Sequence, residues 1–145
     1  ELRQVEPNTR LAREHLDKAH KNLSAMQLMY DHDHFDWTVV CGYYAMYHAV
    51  LAALYHIGLA ARSHGCAVAA FRRFYIDRGH VPGQYAKFLK RAQQLKKRYA
   101  ESLEEARRNR VTVQYEIEEL SNEDAAWILE EAKGFVLQIE AVLAG

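Results

Sequence analysis

The nine residues Arg107–Tyr115, RRNRVTVQY, gather groups suited to phosphate chemistry. Arg107, Arg108 and Arg110 are permanent cations whose forked N–H groups match phosphate oxygens, and they can hold a nucleic-acid backbone. Asn109 adds a donor and an acceptor, and Tyr115 adds a ring and a phenol. Cutting RNA needs more than a cation to offset the charge building on phosphorus. A base must also take the proton from the ribose 2′-hydroxyl. Between Arg107 and Tyr115 no side chain titrates near neutral pH, and Val113 cannot move a proton. The stretch is equipped to bind and not, by itself, to cleave.

Other residues carry chemistry of their own. His64 stands at an expected helix start, where the local field favours neutral imidazole and attracts anions; a helix-capping or core-contact role is the alternative. His48 lies within a long apolar run and reads as a satisfied core histidine before it reads as a ligand. DHDHFD (31–36) holds two histidines and three aspartates, but ligands two apart in a loop need a partner elsewhere to close a site. It reads as a solvated connection, and no metal or cofactor is expected. Tyr43, Tyr44, Tyr47 and Tyr55 offer either a base-stacking surface or core and dimer packing. Pairs such as Arg10–His15, Arg13–His20 and Arg73–His80 are spacings that twelve arginines and eight histidines produce by chance.

The elements that must hold these groups are helical. The chain has 145 residues, half of them apolar, enough for one domain with its own core. Acids and bases cancel at 19 each, so no global field selects nucleic acid or membrane. Locally they separate: nine bases face three glutamates from Lys87 to Arg110, and eight acids face Lys133 alone from Glu116 onward. This marks either charged faces or helices of opposite sign packed together. Cys41 and Cys66 make no disulfide framework and fit a reducing cytoplasm. The charged N-terminus does not read as a signal peptide. The uncharged run between Asp36 and Arg62 has the length of a membrane span, but its histidines and tyrosines favour a buried central helix.

Periodicity places five helices in a single domain spanning 1–145, an all-α up-and-down bundle. Asn8 or Thr9 caps the first, whose face is Ala12, Leu16, Ala19, Leu23, Met26 and Tyr30. Asp36 caps the second, which stops near Gly58. Ser63 opens the third, ended by DRGHVPG, and the fourth runs from about Gln84 to Arg110. Ser121, with Asp124 three residues on, opens the last. No sustained alternation marks a strand; VTVQYEIEEL comes nearest.

YYAMYHA (43–49), Ser63–Gly65 with Phe71, Arg108 with Tyr115, and the serine-opened last helix, taken in this order, resemble the HEPN family over roughly Leu11 to Leu143. The resemblance implies a helical homodimer tied to RNA or nucleotides. It also implies a toxin–antitoxin or defence setting, often beside a minimal nucleotidyltransferase. Many members are metal-independent ribonucleases with an arginine, four to six residues, then a histidine, two such motifs meeting at the dimer interface. The toxin pattern Arg-Asn, three residues, His, one residue, Tyr falls on Arg108, Asn109, Val113 and Tyr115. The histidine is absent. Arg107, Arg108, Arg110 and Tyr115 are then the expected nucleic-acid contacts, and Arg108, Asn109 and His64 the catalytic candidates if another base serves. In some members the matching tyrosine receives AMP from the partner enzyme. Otherwise the domain is a non-catalytic helical partner.

Overall fold

In a computed structural model the chain forms an all-α bundle. The structure describes the backbone of residues 1–108 and 122–145, and the side chains of 1–101 and 122–145. In chain order the described elements are β1 (Leu2–Gln4), α1 (Thr9–Asp31), α2 (Phe35–His56), β2 (Leu59–Ala61), α3 (His64–Phe71), α4 (Gln84–Arg108) and α5 (Asn122–Ala144). A wide π-helical turn, Arg72–Ile76, extends α3.

Asn8 caps α1 by accepting the Leu11 N–H at 2.9 Å, which satisfies one of the first-turn donors. Ala12, Ala19 and Met26 are buried, and Leu16, Leu23 and Tyr30 pack beside them. The chain then reverses within three residues. His32, Asp33 and His34 send their N–H groups back to Leu28, Tyr30 and Met29, and Asp33 takes a left-handed φ of 61°. That tight reversal starts α2 earlier than expected. His34, not Asp36, is the capping residue, and Asp36 sits in the first turn, where a carboxylate faces the positive end of the helix.

α2 is the axis of the molecule and packs against α1, α3, α4 and α5. It is long and apolar enough to cross a membrane by length and composition, yet 61% of its most apolar window is buried inside the protein. The missing charges are thereby explained by neighbouring helices. At Gly42 an added Cβ would come within 2.9 Å of Ile128 and 3.1 Å of Met26, so α1, α2 and α5 meet there closely.

A two-stranded antiparallel ribbon, pairing Leu2 with Ala61 and Gln4 with Leu59, was not expected from the sequence. Three-residue strands are too short to show alternation. The ribbon continues through Val5, whose N–H reaches the Gly58 carbonyl at 2.8 Å. Gly58 has φ +79°, and a Cβ there would meet the Val5 carbonyl at 2.6 Å. Only glycine fits both demands.

Ser63 caps α3 through the Cys66 N–H at 3.1 Å. The basic and acidic helices do touch: Arg91 and Arg98 reach Asp124 at 3.0 and 3.9 Å. Part of the charge separation is thus a tie between α4 and α5. The expected cap Ser121 lies outside the described residues.

Candidate functional site

Two of the three clustered arginines end α4. Arg107 and Arg108 form its last turn as backbone, while Asn109, Arg110, Val113 and Tyr115 lie outside the described residues. What the structure resolves in side-chain detail is the neighbourhood of His64.

His64 begins α3 directly after its serine cap, and the seven-residue path back to α2 brings it under three tyrosines. Its Nδ1 lies 2.8 Å from the Tyr43 hydroxyl. Its ring sits 4.0 Å from that of Tyr47 and edge-on to Tyr44 at 6.4 Å. From α4, Lys96 places its ammonium 5.2 Å from the Tyr43 ring and 5.8 Å from that of Tyr44. Rings whose faces carry partial negative charge hold such a cation.

The electrostatics follow from this crowding. Burial first, and the Lys96 charge second, hold His64 below its ordinary pKa, so the imidazole is neutral near pH 7. Burial, then Tyr44 and Tyr47, push the Tyr43 phenol up to about 12, so it keeps its proton. Two tautomers satisfy the pair. Either the phenol donates to Nδ1 and Nε2 carries the proton, or Nδ1–H donates to the phenol oxygen and Nε2 is bare. Only the second makes His64 a base.

A second histidine pair adjoins the first. His48 and His15 bring their Nδ1 atoms to 3.0 Å, so one ring donates and the other accepts. His15 stacks in turn on Tyr55 at 5.4 Å. Burial, then His15 and Lys18, lower His48 to about 4. Burial and Lys18 also lower His15, against a smaller opposing pull from Glu14. His48 is therefore a partnered histidine of a half-buried face.

Of Arg108 the structure describes the backbone alone, as the last residue of α4. Lys96, which marks the level of the His64 cluster on α4, precedes Arg108 by twelve residues. At 1.5 Å rise per residue that is roughly 18 Å along the axis. Among the other spacing pairs, His20 is engaged with Glu140 at 2.7 Å and Arg10 with Glu14 at 3.8 Å. Among the described residues no three His, Cys, Asp or Glu side chains converge to hold a metal ion.

Sequence reasoning did not single out Lys96, His15 or Trp37. Trp37, on the first turn of α2, leaves 53% of its surface in solvent and tilts against Tyr99 of α4 at 5.9 Å. A signal existed: Trp37, Tyr44 and Tyr47 recur at seven and three, one face of a helix.

Comparison with known proteins adds two findings. The family model of the HEPN domain matches residues 12–142. A UPF0332 protein of Gloeobacter violaceus is 30% identical over 67 residues, which cover 46% of this chain and 53% of that protein. The chain thus spans about half the length of the curated relative it matches.

Proposed function

The chain belongs to the HEPN domain family, and from that premise we propose that it is a cytoplasmic homodimer that binds RNA or a nucleotide in a toxin–antitoxin or defence system. Arg107, Arg108 and Arg110 supply the phosphate contacts, flanked by Asn109 and Tyr115. One observation carries the reading. α4 runs unbroken from Gln84 to Arg108, so the basic residues from Lys87 onward share one rod that ends in paired arginines. Val113 stands where the family's catalytic histidine would be, so binding is retained without the standard cleavage chemistry.

His64 favours a second reading, a metal-independent ribonuclease with a substitute base. The neutral imidazole and the Nδ1–H tautomer supply that base. In this reading the histidine and the arginine come from different protomers of the dimer. A non-catalytic partner of a minimal nucleotidyltransferase, touched through Tyr115, is the reading in which neither group works on RNA.

The test combines binding and cleavage. RNA affinity should fall steeply with salt, and Arg108→Ala should flatten the log–log slope by about one unit. Salt-independent binding, or an unchanged slope, overturns the phosphate-binding helix end. Cleavage of a mixed RNA pool that disappears in both Arg108→Ala and His64→Ala selects the second reading. Solution scattering at tens of micromolar decides the dimer; a monomer refutes it.

A further inference from the structure

Trp37 is an unusual residue to leave in water. Among the described residues, the other large apolar side chains that remain exposed, Leu2, Leu28, Ile57 and Leu137, lie on other elements or other turns. Exposed polar residues neighbour the two rings along the sequence: Asp33 and His34 before Trp37, and Lys97, Arg98 and Glu101 on either side of Tyr99. A second copy of this chain would bury an apolar patch, and this site offers one ring in a polar frame. A flat polar ligand suits it better.

The frame is continuous with cations and further rings. Trp37 tilts against Tyr99 at 5.9 Å. Two helical turns along the same face of α2 comes Tyr44, with the Lys96 ammonium 5.8 Å from its ring. Lys97, the residue after Lys96 on α4, is exposed and holds Glu101 only loosely, at 3.9 Å. Aromatic faces alternating with cations along a groove are the pattern by which proteins hold single-stranded nucleic acid without reading sequence.

The acidic groups near the ring decide which part of the nucleotide lands there. Asp36 lies on the same turn as Trp37, and its charge, after burial, raises the Tyr99 phenol. A carboxylate on the same turn of the helix disfavours a phosphate over the rings. An uncharged base is not repelled, and the phosphates on either side fall toward the lysines of α4.

We propose that Trp37 and Tyr99 form a stacking platform for an unpaired RNA base, on the face where α2 meets α4. The inference rests on the RNA reading above and adds a residue that the arginine stretch does not contain. The platform is sequence-tolerant, because every base has a π face.

The chain has two tryptophans, so a Trp127→Phe background leaves Trp37 as the sole indole reporter. Twelve-nucleotide oligo(A) should quench that emission on binding, and an abasic ribose-phosphate chain of equal length should bind more weakly without quenching it. In the otherwise natural protein, Trp37→Ala should weaken oligo(A) binding on the order of 10- to 100-fold, leave the salt slope unchanged, and be largely rescued by Trp37→Phe. Salt-dependent RNA binding with silent Trp37 emission and Trp37→Ala within twofold of wild type overturns the platform and leaves the RNA reading intact. A change of oligomeric mass in Trp37→Ala overturns it in favour of a contact between copies. Absence of RNA binding in the wild-type protein refutes both.

Discussion

Removing one oxygen atom, by Tyr75→Phe, should cost the fold a measurable share of its stability. Tyr75 is buried on the π-helical turn, and its hydroxyl donates to the Ala53 carbonyl at 2.6 Å. That carbonyl belongs to the last turn of α2, where the Ile57 N–H bonds to Leu54 instead, at 3.1 Å. The phenol therefore supplies a donor that the helix end does not provide. Phenylalanine keeps the ring and its stack on Phe71 at 5.2 Å, so packing is preserved and the hydrogen bond alone is lost. Leaving a buried carbonyl unsatisfied costs about 1–3 kcal/mol. For a chain of this size each kcal/mol lowers Tm by roughly 2–4 °C, so a fall of roughly 3–10 °C is expected in a thermal melt followed by circular dichroism. The alkaline limb gives a second readout. Burial pushes the Tyr75 phenol up to about 12, whereas the unfolded phenol ionises near about 10. The native state holds the proton longer, so this contribution is complete below about pH 10 and is lost as pH rises toward about 12. Tyr75→Phe should lose less stability across that interval than wild type. A variant melting within about 1 °C of wild type, with an unchanged alkaline limb, would refute the assignment of Tyr75 as a donor to α2.

Acid should act through a different group. The folded pKa of His48 is about 4, below the ordinary value near 6.5, so stability is full above about pH 6.5 and falls as pH drops toward about 4. His15 and His64 shift in the same direction. His48→Gln should flatten the decline in urea midpoint between pH 7 and pH 4.5; an equal decline in both proteins would count against the pair. Val113→His should raise RNA cleavage roughly 10²- to 10⁴-fold, the usual worth of a general base, when compared with wild type at equal folded fraction. No gain would mean that the arginine and asparagine do not stand where the chemistry needs them. Chelator should leave Tm unchanged, because the described histidines and carboxylates do not converge; a drop with EDTA that zinc restores would overturn this.

Local chemistry was the legible part of the sequence. Asn8 and Ser63 announced their helices because a cap bonds residues three apart, and the face of α1 followed from spacing. Asp36 misled because the turn before it closes on backbone bonds to Leu28, Met29 and Tyr30, which no side chain advertises. The ribbon was invisible for a different reason. Leu2–Gln4 and Leu59–Ala61 are strands only in each other's company, across more than fifty residues. The site divides in the same way. His64 was recognisable at its helix start, but its partners Tyr43 and Lys96 come from α2 and α4. Trp37 went unnoticed since an exposed aromatic and a core aromatic look alike until the neighbours are placed.

The position of α2 also sets an order of events in folding. α1 and α2 are joined by a short reversal and form a helical hairpin of nearby contacts, which costs little chain entropy to close. α5 must return across most of the chain before Ile128 can reach Met26 and Gly42. The hairpin therefore serves as the template, and docking of α5 is the late step. Shortening Ile128 to valine should speed unfolding and leave the folding rate nearly untouched, while Met46→Ala, in the middle of α2, should slow folding itself.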